Sequence, residues 1–462
     1  MKILLIVYDN GSFLHSFPLG IAYLAGVLRR DHRVTIYQQD VHHYPEEHLT
    51  RFLDQNDFDL VGLGVIAGYY QYEKLLKISR AVNASSRRPK YYVLGGHGPT
   101  PEPEYFLDKT GADIVVMGEG ETVMIELLKA LESGKGLGSV PGIAYKDQGR
   151  MKINPRPPLI DDLNTIPWPA YDMFPMEYYR LMRPPHATND DFTMTVLSGR
   201  GCPFQCNFCY RMDEGYRARE IGAILEEVRY LQMDYGINYI DFADELLMVS
   251  KTRIFEICEA ILTSGLSFKW YCNGRLNYAT PEILAKMKQA GCVFINYGIE
   301  AFDDQVLRNM NKALTTRQIE KGIQATLASG ISPGFNIIFG NIGDTKETLR
   351  KGVEFLLKYD DGAELRTIRP VTPYPGCPLY YEAIERGLLK GVADFYENKH
   401  KNSDLLAVNF TDLTDEEFHR SLMEANMSLI ENYYRKKQAA MTDLTRDLYL
   451  NLNTAFRGYR HT

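Results

Sequence analysis

Gly201-Cys202-Pro203-Phe204-Gln205-Cys206-Asn207-Phe208-Cys209-Tyr210 sets three cysteines in a CxxxCxxC spacing, with an aromatic residue directly after the third. Three thiolates so spaced on one folded loop can point at one inorganic centre. Structural zinc takes four protein ligands, often as two CxxC pairs, and ferredoxin-type clusters also take four cysteines. No fourth cysteine lies near this loop. On spacing alone a zinc loop stays open as a reading. The other is a [4Fe–4S] cluster held by three thiolates, which leaves one iron free for a ligand that is not protein.

Outward from the loop, the chain alternates short apolar runs with amphipathic stretches. A strand over 193–197 delivers the cysteines. Further strands are expected over 239–242, 269–272, 293–297, 334–339 and 365–369. Helices over 221–235, 253–263, 281–289, 304–309, 316–329 and 347–358 separate them. Six such βα units describe a partial (β/α)6 barrel, with chemistry at the carboxyl ends of its strands. Upstream, strands over 3–8, 34–37, 60–66, 91–94 and 114–117 alternate with helices over 19–30, 46–55, 72–85 and 121–133. That pattern implies a Rossmann-like, doubly wound parallel sheet, whose ligands bind beyond the strand ends. Glycines collect there: Gly62, Gly64 and Gly68, then Gly95-Gly96-His97-Gly98, then Gly118-Glu119-Gly120-Glu121. Glycine lets backbone approach a large flat or phosphate-bearing ligand closely. No Gly-x-Gly-x-x-Gly opens the first helix, which argues against a dinucleotide.

The fold class is therefore α/β: a Rossmann-like domain over 1–150, a proline-rich linker over 151–190, the partial barrel over 191–390 and a helical C-terminal region over 391–462. Eight prolines between 155 and 185 forbid long regular elements in the linker, where Trp168 and Tyr171 are expected to pack on both domains. The tail is aromatic (Phe395, Tyr396, Phe410, Phe418, Phe456, Tyr459) and reads as a helical lid on the barrel mouth. Asp412 or Thr414 is expected to cap a helix running through Arg435.

The cysteine run resembles the signature of the radical S-adenosylmethionine superfamily. The order of the first domain, with 17–25 after its first strand and the glycine clusters, resembles the cobalamin (B12)-binding domain that precedes many radical cores. The resemblance implies three cofactors: a [4Fe–4S] cluster on Cys202, Cys206 and Cys209, S-adenosylmethionine on its open iron, and cobalamin. Asp244 and Glu245 stand where the family binds the S-adenosylmethionine amino group, and acidic groups suit an ammonium. Arg275 is a candidate for the methionyl carboxylate or a substrate acid. Glu300, in Gly298-Ile299-Glu300, faces nucleoside or substrate, and Asn336, with 372–376, shapes the adenosine pocket. Tyr210 and the residues before it lie against adenine. Gly95, Gly96, Gly118, Glu119 and Gly120 are expected on cobalamin. Many cobalamin proteins ligate cobalt through an Asp-x-His-x-x-Gly histidine. Here Asp40-Val41-His42-His43-Tyr44-Pro45 follows the second strand and ends in proline, so both histidines read as loop residues, and His15, Tyr69 and His97 are the ones to inspect.

The commonest activity so implied is methylation of an unactivated carbon, or phosphorus, of a small-molecule substrate through a 5′-deoxyadenosyl radical and methylcobalamin. The alternatives are a non-methylating radical enzyme (oxidative cyclase, ring-contracting enzyme, dehydratase or epimerase) and a cobalamin sensor without turnover. A one-electron reductant such as flavodoxin or ferredoxin is the expected protein partner. A formal charge of -7 argues against nucleic acid, and no apolar run is long enough to span a membrane. Seven cysteines without a secretory signal fit a reducing, cytoplasmic setting. Cys258 and Cys292 read as core, while Cys272 and Cys377 lie near strand ends.

Overall fold

A computed structural model gives the structure, which describes residues 1–9, 11, 16–212 and 214–456. His15 and Tyr459, singled out above, lie outside the described residues. The first sheet begins with β1 (Lys2–Val7), β2 (Arg33–Gln38), β3 (Leu60–Gly64), β4 (Tyr91–Gly95) and β5 (Ile114–Val116), all parallel. The interiors of β1, β3, β4 and β5 are apolar and buried on both sides, as a parallel sheet covered by helices requires, while the edge strand β2 is only partly buried. The covering helices are α1 (Leu19–Leu28), α2 (Gln39–His42), α3 (Glu46–Gln55), α4 (Tyr69–Ala84), α5 (Pro103–Thr110) and α6 (Gly120–Ser133). Spatial order β2-β1-β3-β4-β5 puts the topological switch between β1 and β3.

An antiparallel hairpin, β6 (Ile143–Asp147) and β7 (Arg150–Ile153), extends this sheet past β5. It carries the sheet through Ile153, beyond the boundary expected at 150. The linker then crosses to the barrel through short turns and α7 (Met176–Tyr179). Trp168 and Tyr171 bridge the domains as expected. Ala170 N donates to Ala22 O of α1 at 2.9 Å, and Trp168 stacks on Tyr230 at 5.7 Å. The Tyr171 ring stacks on Phe17 at 5.3 Å, while its hydroxyl donates to Glu227 at 2.7 Å.

The second sheet starts at β8 (Thr193–Val196). A two-residue ribbon, β9 (Gly199–Arg200) with β10 (Arg217–Ala218), closes the stem of the cysteine loop. Then come α8 (Ile221–Tyr235), β11 (Tyr239–Phe242), α9 (Lys251–Thr263), β12 (Lys269–Gly274), α10 (Pro281–Gln289), β13 (Cys292–Glu300), α11 (Asp304–Asn309), α12 (Thr316–Ala328), β14 (Ser332–Phe339), α13 (Lys346–Tyr359) and β15 (Arg369–Pro370). The six principal strands run parallel in the order β15-β14-β13-β12-β11-β8, a half-barrel with free edges at β8 and β15.

After β15 come α14 (Pro378–Glu385), α15 (Val392–Asp394) and α16 (Asp415–Leu450). Thr414 caps α16 in a reciprocal box with Glu417. Among the described residues, the tail packs on the barrel flank and on the first domain rather than as the expected lid. Helix α16 lies on the barrel flank, where Phe418 stacks on Phe339 at 4.8 Å. Asn426 accepts from Ile368 N at 2.8 Å and donates to Ile368 O at 2.9 Å, so one side-chain amide stands in for the next strand at an open edge. The 395–400 turn instead packs on the first domain, with Tyr396 stacked on Tyr72 at 4.6 Å.

Candidate active site

Gly201 starts the cysteine loop at φ +86, where a Cβ would sit 2.4 Å from Gly215 O, so only glycine fits. The loop is tied down by its own backbone. Asn207 N donates to Met310 O at 3.0 Å, and Leu379 N donates to Asn207 O at 2.9 Å. Asn311 Nδ2 reaches Gln205 O at 2.7 Å, and Arg211 Nη1 reaches Phe204 O at 2.9 Å. These bonds hold the loop against the carboxyl ends of β13 and β15, the end at which barrel chemistry is built. Cys206 is buried, Cys202 half-buried and Cys209 exposed. Burial, then the neighbouring Cys206 and Cys202, pushes the Cys209 thiol up to about 11. The donor set is three thiols without imidazole or carboxylate, and no three His, Cys, Asp or Glu side chains among the described residues converge on a single-ion position. One thiolate per iron of a cluster suits that arrangement. Metal binding would have to displace the thiol protons.

Around the thiols the structure redistributes the expected roles. Asp244 is fully buried and accepts from Ser198 N at 2.6 Å and Ser198 Oγ at 2.5 Å. Burial raises its carboxyl to about 6. Both of its oxygens thus accept from Ser198, just past the strand that delivers the loop. Its neighbour Glu245 is exposed, and its charge acts on Cys202 and Cys209. Arg275, expected to meet a carboxylate, is buried: Nη2 donates to Lys312 O and, at 3.3 Å, to Ala313 O. Its guanidinium lies 3.6 Å from the Phe204 ring centroid.

Glu300 ends β13 at φ +67 and pairs with buried Lys312 at 2.9 Å. A side chain at Gly298 would strike both partners, its Cβ 2.3 Å from Glu300 Oε1. Asn336 joins a ladder across three strands. Its Nδ2 donates to Asn296 Oδ1 at 2.7 Å, and Asn296 Nδ2 donates to Asn273 Oδ1 at 3.1 Å. Asn273 Nδ2 in turn reaches Asp244 O at 2.9 Å. Residues 340–345 make a turn, closed by Asp344 accepting from Gly340 N at 3.0 Å and Asn341 N at 2.9 Å.

The first domain meets this site directly. Tyr210 contacts His97 edge-to-face at 5.9 Å, and at Gly376 (φ +95) a Cβ would sit 2.6 Å from the Tyr210 ring. His97 is exposed to the cleft, yet its surroundings desolvate it and lower its pKa. Ile66 is 62% exposed and Tyr70 59% exposed, an apolar surface above the sheet that suits a corrin. Gly96 takes φ +94, and a Cβ there would lie 2.6 Å from Val65 O, so the glycine serves loop-on-loop packing. Gly95 adjoins Val116, Gly118 takes φ +89, and Gly120 starts α6 beside Leu24.

The Glu119 carboxylate accepts from Arg200 at 2.8 Å, Arg217 at 3.0 Å and Ile160 N at 2.7 Å. Glu121 takes the other Arg200 nitrogen at 2.6 Å. The acidic residues of this loop thus clamp the stem of the cysteine loop.

His42, read above as a loop residue, ends α2 and stacks on Tyr44 at 4.9 Å, while His43 just past the helix pairs with Asp9 at 2.9 Å. Cys258, Cys272, Cys292 and Cys377 are all buried. Arg200, Arg217, Lys312, Asn273 and Asn296 escaped the sequence reading. The available signal was a polar residue inside an otherwise apolar strand, as with both asparagines.

Two family models match the chain: the radical SAM superfamily over residues 196–356 and the B12 binding domain over residues 12–128. An uncharacterized methyltransferase of Pyrococcus horikoshii is 30% identical over 400 residues, covering 84% of each chain. The anaerobic magnesium-protoporphyrin IX monomethyl ester cyclase of Rubrivivax gelatinosus is 26% identical, over 91% of this chain and 80% of its own. Among solved structures, the radical S-adenosylmethionine methyltransferase TsrM from Kitasatospora setae, with cobalamin and [4Fe-4S] cluster bound, superposes with a TM-score of 0.73 at 18% identity. That match covers 93% of this chain and 89% of TsrM.

Proposed function

The chain belongs to the radical S-adenosylmethionine superfamily, among the members that carry a B12-binding domain, and from that premise we propose that it methylates an unactivated carbon or phosphorus of a small molecule. The observation that carries this reading is the shared seam: the cysteine loop and the glycine loops open on one cleft, with Tyr210 against His97 at 5.9 Å. When bound, the cluster with its sulfonium ligand supplies a hydrogen-abstracting 5′-deoxyadenosyl radical, and cobalamin carries the methyl group.

The chain's own residues do the rest. Cys202, Cys206 and Cys209 would hold the cluster. Glu245 would receive an ammonium, and the Glu300–Lys312 pair offers both signs of charge. The asparagine ladder presents amides to a ribose or substrate hydroxyl. Val65–Gly68, Gly95–Gly98 and Met117–Gly120 would frame the corrin, and Ile66 and Tyr70 would exclude water. A flavodoxin- or ferredoxin-like donor supplies single electrons. Seven free cysteines fit a reducing cytoplasm, and no described helix is long and apolar enough to cross a membrane.

The test is product analysis after anaerobic loading with iron, sulfide and hydroxocobalamin. S-adenosylhomocysteine together with 5′-deoxyadenosine supports methyl transfer, while 5′-deoxyadenosine alone moves the reading to cyclase-like or other non-methylating chemistry. Cys206→Ala should abolish 5′-deoxyadenosine formation, and its persistence would defeat the cluster assignment.

A further inference from the structure

We propose that Arg275 is the counter-charge of the cysteine centre and sets the potential at which that centre accepts an electron. The proposal rests on the cluster reading above. Two buried cations flank the loop. Lys312 is neutralised by Glu300 at 2.9 Å. Arg275, 5% exposed, has no carboxylate partner among the described residues: Nη2 donates to two backbone carbonyls, and buried Nε has no hydrogen-bond partner. Its plane is held 3.6 Å from Phe204, the residue midway between Cys202 and Cys206. After desolvation, the groups acting on it most strongly are the Cys206 and then the Cys202 thiols.

A buried guanidinium with its charge unspent and an N–H to spare is costly unless something negative stands beside it. Three thiolates do. One electron from the external reductant adds negative charge to that centre, and a fixed neighbouring cation and N–H donors to sulfur favour the reduced form. A bidentate carboxylate clamp would need both terminal nitrogens turned outward, whereas here Nη2 faces carbonyls of the 312–313 turn.

The experiment is an EPR-monitored redox titration of anaerobically reconstituted wild type, Arg275→Gln and Arg275→Lys, with iron content and S-adenosylmethionine affinity measured alongside. The expected result for Arg275→Gln is full iron and a reduced-to-oxidised ratio at fixed potential at least tenfold lower, about 59 mV for a one-electron couple. Arg275→Lys, keeping the charge, should stay within a few-fold of wild type. An unchanged midpoint in Arg275→Gln overturns the proposal, whether or not S-adenosylmethionine affinity falls. Should the Gln variant lose iron, an iron-replete Lys variant with a near-wild-type midpoint supports the charge requirement, and iron loss in both overturns it. Wild type without an iron signal would defeat the cluster reading itself, a distinguishable failure.

Discussion

Glu119→Gln removes the negative charge at the centre of the seam. Glu119 is 6% exposed, Arg200 17% and Arg217 13%, and the carboxylate meets both guanidiniums at 2.8–3.0 Å. Burial alone would raise its pKa. Hydrogen bonds from Arg217, Ile160 N and Arg200 outweigh that and hold it below the usual carboxylate value. Without the charge, two guanidiniums lose the carboxylate they share, while Arg200 keeps Glu121. Breaking a buried pair in this way costs about 3–5 kcal/mol. Glu282→Gln is the internal control: its pair with Lys251 is 63% and 58% exposed and is worth about 1 kcal/mol or less. The assay is amide hydrogen exchange at Ile160 and through the cysteine loop, because opening of one seam need not follow global unfolding. A loss of about 3 kcal/mol accelerates exchange there roughly a hundredfold. Equal exchange in the Glu119 and Glu282 variants would show that this cluster does not hold the domains together.

Two further outcomes follow from local geometry. Gly96→Ala forces a Cβ onto Val65 O at φ +94, strain of about 1–3 kcal/mol. Hydroxocobalamin uptake should fall severalfold at unchanged iron loading, and unchanged uptake would remove the 95–98 loop from the corrin pocket. Asp241 on β11 is pushed up to about 6 by burial, against hydrogen bonds from Tyr271 and Thr195 that lower it. A raised carboxyl contributes stability that is complete below the unfolded value near 3.8 and is lost as pH rises to about 6. Asp241→Asn should therefore gain stability relative to wild type across that window, by up to about 3 kcal/mol. A pH-independent difference in denaturant midpoint would contradict this.

Much of the frame was readable because its signals are local. Helix α8 and helix α10 stand where the apolar period put them, with Thr280 and Pro281 marking the start of the latter. The β6–β7 hairpin was missed because its turn is Gln148-Gly149, both at positive φ (48 and 77), without the Asn-Gly that usually signals such a turn. The strand expected over 365–369 shrinks to Arg369–Pro370. Arg366 turns inward to Pro333 O at 2.9 Å, and Ile368 spends its backbone on Asn426, 58 residues away.

The site divides along the same line. Cysteine spacing and glycines at strand ends are local facts, and the structure brings both to one cleft. The partner of a charge is not local: Glu119 finds Arg200 across 81 residues, and Arg275 finds Lys312 O across 37. Adjacent Asp244 and Glu245 could not be separated by type, since only the fold decides which one Ser198 consumes. A charged residue beside a motif therefore carries little information until its counter-charge is located. By that criterion Glu119 and Asp244 are spent on holding the loop, whereas Arg275 keeps its charge for the centre the loop was built to carry.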